Sequence, residues 1–410
     1  MKVLAAAASF ASGISGVQRH ALNMVRCLLL LEEIAEVHLV VAPWQHGMIE
    51  TAQLPEDRRL HTHVAAMHRG SLGRNLWYFR ELPRLARELY VDLVHLSYPV
   101  PINARAFHCP AAVTLHDLYP YEIPMNFGFP KFLFNRAVLR QCLHAADAIA
   151  CVSDATLMRL KQYFPASVWK KALRVYNCVE PEPIAAAEPP IPGWKGEPFL
   201  LCIAQHRRNK NISALIRAFD LLLRSEWIAP NSKLVVVGMR GPETARLHRL
   251  VRNTGLRENV RFLEGLSEAA LQWCYRHCAA LVAPSIVEGF GLPVAEGLLA
   301  GCRIVCSGIP AHREIGGANC RFVTLHEHAH QSLAAEIADA MNEPKPRPIV
   351  LPRFSAPIVA AQVLDLYGAL LSPARREQAH SFAPGLRPAS VETLSIAAPE
   401  SPSALAYRGE

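Results

Sequence analysis

What this chain lacks narrows it first. Its 410 residues contain no Cys-x-x-Cys pair, and its 11 cysteines stand scattered, with no histidine partner at zinc-finger spacing. Zinc ribbons and zinc fingers are therefore excluded. Cys274/Cys278 and Cys302/Cys306 lie in apolar segments, where cysteine acts as a small hydrophobe. An odd, dispersed set fits a reducing cytosol better than a disulfide framework. No run of about 18 uncharged apolar residues occurs, so no spanning helix is expected. Charge is sparse too: 19% of residues are charged against 51% hydrophobic, which excludes a disordered chain.

Acidic residues are the scarcer sign, 35 against 43 basic, for a net charge of +8. That balance favours anionic partners. The most basic run spans residues 58 to 88, where seven arginines face only Glu81 and Glu88 and are interleaved with Leu76, Trp77, Tyr78 and Phe79. Positive charge without the aromatic-basic motif of a known module does not make a nucleic-acid binder. The opening "MKVLAAAASFASG" imitates a secretory signal. Its apolar part is mostly alanine, however, and cleavage would remove a buried first strand.

What is present is alternation. "MKVLAAAA", "VHLVVAP", "VDLVHLSYP", "AAVTLHDLYP", "AADAIAC" and "LRVYNCV" read as buried strands, with helical patterns such as Val17 to Leu31 between them. Ser153 or Asp154 can cap the helix after "AADAIAC". After the Pro- and Ala-rich "EPEPIAAAEPPIPG" a second series begins: "PFLLCIAQ", "SKLVVVGMRG", "VRFLEG", "AALVAPS" and "RIVCSG", again separated by helices. This alternation predicts two consecutive doubly wound parallel-sheet domains, and a ligand belongs outside the carboxyl ends of their strands.

One run concentrates the chemistry. In "APSIVEGFGLPVAEGLLAGC" the glutamates Glu288 and Glu296 surround Gly289, Gly291 and Pro293, between a buried strand and a helix running to Leu299 or Ala300. Glycine lets a backbone approach a ligand closely, and the free amides of a helix start attract phosphate. Glu296, about one turn inside, is placed to accept from ribose hydroxyls, and Glu288 to meet a sugar beyond the diphosphate. Alone, either glutamate is an ordinary helix-start carboxylate. The whole run says more.

"PSIVEGFGLPVAEGLLAGCRIV" resembles the nucleotide-diphosphosugar site of the retaining glycosyltransferase family four, whose pattern is close to P-S-x-x-E-G-F-G-L-P-x-x-E-A-x-x-x-G. The likeness extends over roughly residues 1 to 371, more loosely in the first half. It implies an α/β GT-B fold: two facing Rossmann-like domains with a C-terminal crossover helix. The domain expectation is then an acceptor-side domain over 1–185, a linker over 186–195, a nucleotide-sugar domain over 196–353, the crossover helix over 354–371 and a disordered tail over 372–410.

Carried over position by position, Glu288 resembles the donor-sugar glutamate and Glu296 the ribose glutamate, with Gly289 and the amides of Phe290, Gly291 and Leu292 at the diphosphate. Gly297 departs from a usual Ala, and Arg303 stands where many members have Pro. In "CIAQHRRNKNISALIRAF", Arg207, Arg208 and Lys210 deliver cations that would stabilise a departing diphosphate. Lys210 matches the family lysine. Because Asn209 occupies the usual arginine position, Arg208 is taken first and Arg207 second. In "SGISGVQRH", Gly13 and Gly16 resemble the glycine-rich loop under the phosphates, although the stretch departs from G-x-G-x-x-G. "VTLHDLYPYEIP" resembles mannosyltransferase-like members and makes His116 the catalytic candidate of the first domain, with Asp117 secondary.

No Asp-x-Asp occurs, the pair with which sugar-nucleotide enzymes of another fold hold a divalent metal. Metal-independent chemistry without a cofactor is therefore expected. Glu314 of "SGIPAHREIGG" is assigned to packing against neighbouring loops. The resemblance implies a cytoplasmic retaining hexosyltransferase. Its donor would be GDP-mannose, or a UDP-sugar as the alternative, and its acceptor a carbohydrate or lipid-linked sugar of a bacterial surface polysaccharide. The arginine-aromatic run at 58 to 88 and "FGFPKFLFNRAVLR" at 127 to 140 suit peripheral contact with the inner membrane, or simply solvated helices. A sugar-nucleotide epimerase of the same architecture and a non-catalytic sugar-nucleotide-binding protein are the rival readings.

Overall fold

The structure is a computed structural model, and it describes residues 1–9, 15–52, 54–180 and 188–371. Gly13, the first two residues of the expected linker and the 372–410 tail lie outside the described residues.

Seven short strands build the first sheet: β1 (Lys2–Ala6), β2 (Glu36–Val41), β3 (Leu60–Val64), β4 (Leu93–Leu96), β5 (Ala111–Leu115), β6 (Ala148–Cys151) and β7 (Ala172–Arg174). Their order is β3-β2-β1-β4-β5-β6-β7, and every pair is parallel. Six more build the second: β8 (Phe199–Ile203), β9 (Lys233–Val237), β10 (Val260–Leu263), β11 (Ala280–Ala283), β12 (Ile304–Ser307) and β13 (Arg321–Val323). Here the order is β10-β9-β8-β11-β12-β13, again all parallel. Helices cover both faces, which is why strands such as "VLAA" and "LVVV" are apolar without alternation. Lys2–Ala6, within the opening that imitates a secretory signal, form β1, paired on both sides.

Strand order reverses between β1 and β4 in one sheet and between β8 and β11 in the other. Ligands of open α/β sheets bind outside the strand ends at such points. The loops after β1, β8 and β11 are the ones that carry the glycines, the cations and the glutamates.

Local signals fix the elements that matter. The helix Gly16–Leu29 starts with Ser15, whose N–H donates to the Gln18 side chain at 3.0 Å. Ser153, not Asp154, caps the helix Asp154–Tyr163, accepting from the Thr156 N–H at 2.9 Å. Gly291, at φ +106, lies in the left-handed region and opens the helix Leu292–Leu299 with a proline in its first turn. Gly297 also has a reason. A Cβ there would stand 2.5 Å from the Leu281 side chain, so the small residue lets that helix lie on β11.

The basic run at 58 to 88 holds a strand that the apolar pattern does not mark. β3 reads "LHTHV", mixed in polarity because it is an edge, and the helix Ser71–Glu88 comes after it. β7 is only three residues long, shorter than "LRVYNCV" suggests.

The halves are not independent. Val359, Val363, Leu366 and Leu370 of the terminal helix Ala356–Leu371 share one buried core with Val25 and Leu28 of the first half and with Leu201 and Val294 of the second. That helix also returns hydrogen bonds to the first half. His95 Nδ1 meets the Tyr367 hydroxyl at 2.8 Å, and the Tyr176 N–H donates to Gln362 at 2.9 Å.

Candidate active site

Three groups of side chains converge where the strand ends of the two sheets face each other. The first surrounds Glu288, on the loop after β11. Its carboxylate accepts from Lys210 Nζ at 2.5 Å, from the Ser285 hydroxyl at 2.6 Å and from the Tyr119 hydroxyl of the first half at 2.9 Å. Burial alone would raise its pKa, but the Lys210 ammonium and His312 hold it below the usual carboxylate value. Glu288 is thus an ionised acceptor pinned on three sides, with Tyr119 kept protonated by burial and by that same negative charge.

The second surrounds Glu296, on the helix Leu292–Leu299. It accepts from Arg19 of the first half at 2.9 Å and from the Tyr275 hydroxyl at 2.6 Å. Arg19 also grips Glu268 at 2.5 Å. Burial raises the pKa of Glu296 while Arg19 opposes the shift.

The third surrounds His116, just past β5. Its Nε2 lies 2.8 Å from the Ser97 carbonyl. A carbonyl only accepts, so Nε2 carries the hydrogen and Nδ1 keeps its lone pair. Burial brings the pKa of His116 down to about 4, against the pull of the Ser97 bond, so the ring is neutral near pH 7. Beneath it runs a chain of buried polar groups. The His20 and His116 rings meet edge-on at 4.7 Å, and both His20 and His95 reach the Thr114 hydroxyl, at 3.1 and 2.8 Å. Burial pushes Asp117 up to about 6, opposed by the Tyr119 N–H, Arg207 and Lys210.

The cations of the loop after β8 do not act alike. Lys210 reaches into the cleft to Glu288. Arg207 is partly buried near Asp117, and its Nε is enclosed without a hydrogen-bond partner. Arg208 is exposed and makes no side-chain hydrogen bond or ion pair among the described residues. It lines a cavity of about 190 Å³ with Arg207, Arg246 and Glu243, to which no residue of the first half contributes.

Several motif residues serve the contact between the halves. A Cβ on Gly289 would lie 1.5 Å from the His116 carbonyl oxygen, and the Gly289 carbonyl accepts from the Thr156 hydroxyl at 3.0 Å and from that of Ser153. The Phe290 ring is buried with Tyr176 and Phe354, at centroid distances of 6.3 and 5.2 Å. Any ligand contact by Phe290 is left to its backbone. Gly16 stands 3.5 Å, Cβ position to side chain, from Leu292, so two helix N-termini approach one another. Glu314 caps the helix Asp154–Tyr163 from across the cleft, accepting from the N–H groups of Asp154 and Ala155 at 2.8 and 3.0 Å.

Arg19, Tyr119, Glu268, Tyr275 and Ser285 are not singled out by sequence reasoning. Arg19 and Tyr119 stand inside the segments "SGVQRH" and "HDLYPYE", where glycines, His116 and Asp117 carry the stronger signal. Among the described residues, no group of three or more His, Cys, Asp or Glu is placed to hold a metal ion, and no helix is long and apolar enough to cross a membrane.

Comparison with known proteins places the chain in a family. Residues 14–183 match the model of the Glycosyltransferase Family 4 domain, and residues 186–349 that of the glycosyl transferases group 1 domain. O-antigen chain mannosyltransferase B of Escherichia coli is 26% identical over 343 residues, covering 77% of this chain and 85% of that protein. O-antigen chain mannosyltransferase RfbU of Salmonella typhimurium is 27% identical over 250 residues, 58% of this chain and 64% of that one. Among solved structures, WaaG, a glycosyltransferase involved in lipopolysaccharide biosynthesis, superposes with a TM-score of 0.62 at 16% identity, over 94% of this chain and all of that one. Anabaena HepE in complex with UDP and glucose gives 0.59 at 17% identity, over 93% of this chain and all of that one. At such identities the structures speak for the fold alone, and that fold is GT-B.

Proposed function

Because the chain belongs to the family four glycosyltransferases, we propose that it is a retaining, metal-independent mannosyltransferase. It moves a hexose from a nucleoside diphosphate, GDP-mannose before a UDP-sugar, to a hydroxyl of a carbohydrate or lipid-linked sugar in surface-polysaccharide synthesis. The relatives named as O-antigen mannosyltransferases support the sugar and the setting. The observation that carries the reading is Glu288, held ionised by Lys210, Ser285 and Tyr119 at the switch point of the second sheet.

Each group then has a role. The amides of Phe290, Gly291 and Leu292, at a helix start, receive the diphosphate, and Gly16 backs it from the first half. Lys210, with three ammonium hydrogens, keeps one on Glu288 and turns the others to the diphosphate, where charge grows as the sugar leaves. Arg207, partly buried near Asp117, supports it, and Arg208, taken first from the sequence, is placed second because it is exposed and away from the first half. Glu288 accepts from sugar hydroxyls, and the Nδ1 lone pair of His116 does so from the opposite wall. The sugar–phosphate oxygen bond breaks and the acceptor oxygen bonds to the same face of the anomeric carbon. The acceptor proton passes to the departing phosphate oxygen. The transition state resembles an oxocarbenium ion, and closure of the halves excludes water.

Membrane contact is the second part of the reading. The helices Ser71–Glu88 and Lys131–Ala145 bury Leu82, Ala86, Leu139 and Leu143 in one core on the same face of the first sheet. Outward the first exposes Leu72 and the second Leu133 and Phe134, with Phe129 just before it, and Lys131 is exposed in its first turn. Anionic vesicles should carry the protein upward in flotation, and its absence from the floated lipid would sink this part.

The test of the reaction is a panel of GDP- and UDP-sugars incubated with the protein in EDTA, reading nucleoside diphosphate release. One donor should be turned over, with release lost in Glu288→Ala. Turnover that needs added metal, or that survives the substitution, would reject the assignment.

A further inference from the structure

The assignment of Glu296 to the ribose leaves open what keeps a buried carboxylate ready to accept, and the answer lies on the other half of the protein. Arg19 is the fourth residue of the helix Gly16–Leu29, and its guanidinium spans two carboxylates of the second half. One Nη atom bonds Glu296 Oε1 at 2.9 Å, and the other bonds Glu268 Oε2 at 2.5 Å. Glu268 is tied in turn by Gln272 at 3.1 Å. On the far oxygen of Glu296 sits the Tyr275 hydroxyl, at 2.6 Å. An ionised carboxylate offers about four lone-pair sites, two per oxygen. Arg19 takes one on Oε1 and Tyr275 one on Oε2, which leaves one site on each oxygen. Two adjacent acceptor sites are what a vicinal diol needs.

We propose that Arg19 is a positioning residue for the donor: from across the domain cleft its guanidinium fixes the Glu296 carboxylate, with one free acceptor site on each oxygen for the two ribose hydroxyls. The inference rests on the preceding reading that this cleft binds a nucleoside diphosphate. Arg19, Tyr275 and Glu268 are the charged and titratable groups that face Glu296. Of these only Arg19 favours the ionised carboxylate by charge, since Glu268 is a like charge and Tyr275 is kept protonated by burial. Burial already raises the pKa of Glu296. Removing Arg19 takes away the one cation that opposes that shift and one of the two hydrogen bonds that orient the carboxylate, and so favours the protonated form, a donor where the diol needs an acceptor.

The experiment is calorimetric titration of GDP and UDP, each beside its 2′,3′-dideoxy form, into wild type, Arg19→Met and Arg19→Lys at pH 7 and pH 9, with a thermal melt of each variant. Arg19→Met should weaken binding of the natural nucleotide by roughly 10- to 100-fold at pH 7, the range for a charged hydrogen bond. The loss should be smaller at pH 9 than at pH 7, because a higher pH favours the ionised carboxylate. The dideoxy form should bind wild type and Arg19→Met alike. Arg19→Lys keeps the charge but not the fork, and should fall between them at pH 7. An equal loss for natural and dideoxy nucleotides at both pH values would make Arg19 a phosphate contact and overturn the proposal, as would unchanged binding in Arg19→Met. Should wild type bind neither nucleotide, the donor-site reading itself falls. Wild-type binding with an indifferent Arg19→Met sinks only the role given to Arg19.

Discussion

Lys210→Met separates the two things that the buried ion pair does. Lys210 Nζ and Glu288 Oε1 are 2.5 Å apart, with side chains only 19% and 10% exposed. At that distance their attraction is about 7 kcal/mol for an effective dielectric near 20, and desolvation of the two ions offsets much of it. The intact pair is therefore worth little net, whereas the broken pair leaves Glu288 charged and buried, at a cost of about 3–5 kcal/mol. Ser285 and Tyr119 still bond the carboxylate, and protonation gives it an escape, so the lower end of that range applies. Catalysis loses a cation aimed at the leaving diphosphate, about 10²–10³ in kcat. Urea melts and steady-state kinetics on Lys210→Met, Glu288→Gln and the double variant read both quantities. Stability should fall in Lys210→Met and return in the double variant, where both partners are neutral. The rate should return in neither. A kcat within about 3-fold of wild type in Lys210→Met, or a double variant as active as wild type, would refute the reasoning.

Gly289→Ala places a methyl group 1.5 Å from a backbone oxygen of the other half, so the melting temperature should drop by about 5 °C or more, and a melt within the error of wild type would show that the close approach is absent. Glu314→Ala removes a cap that one half places on a helix of the other. Because Ser153 remains, a loss of about 1 kcal/mol in a urea titration is expected, and no change would mean that the contact does not persist in solution. Acid should also weaken the fold. His95 and His116 have folded-state values of about 4, and His20, His38 and His63 are also lowered, burial leading in each. The unfolded chain binds protons below about pH 6.5 while the folded one resists until about pH 4, so stability falls across that window. Asp117 and Glu296, raised by burial, oppose the trend but are outnumbered. The urea midpoint should decline from pH 7 to pH 5, and a flat or rising profile would contradict this assignment.

Much of the fold is written in buried runs that need no partner to be recognised. "LVVV" and "ALVA" are apolar throughout because helices cover both sheet faces, and the glycines of "VEGFGLP" mark the strand-to-helix turn. The edge strand "LHTHV" escapes notice because an edge is half solvated, and its histidines and arginine neighbours look like surface. In the site, Glu288 and Glu296 are visible through their own motif, but their partners are not. Tyr119 and Arg19 meet them only after the halves close, at sequence separations of 169 and 277 residues, and nothing local marks such a pair. The motif also hides a second duty. Gly289 reads as a residue that lets a ligand approach, and in the folded protein the backbone of the first half takes that space.

The terminal helix makes the order of synthesis differ from the order of completion. Residues 356–371 supply the last apolar face against Val25 and Leu28 and the hydroxyl that meets His95. A nascent chain that has emitted β1 to β7 therefore still exposes that face and leaves His95 with Thr114 but without the Tyr367 hydroxyl. The second sheet has a core of its own on one face, with Leu215, Phe219, Leu234 and Leu333, while Leu201 and Val294 belong to the core it shares with the first half. Domains ordinarily fold from the N-terminus as they emerge. Here the first domain waits for residues 356–371, made after the whole second sheet, so a truncation a few turns before residue 371 should leave the half it does not touch unfinished.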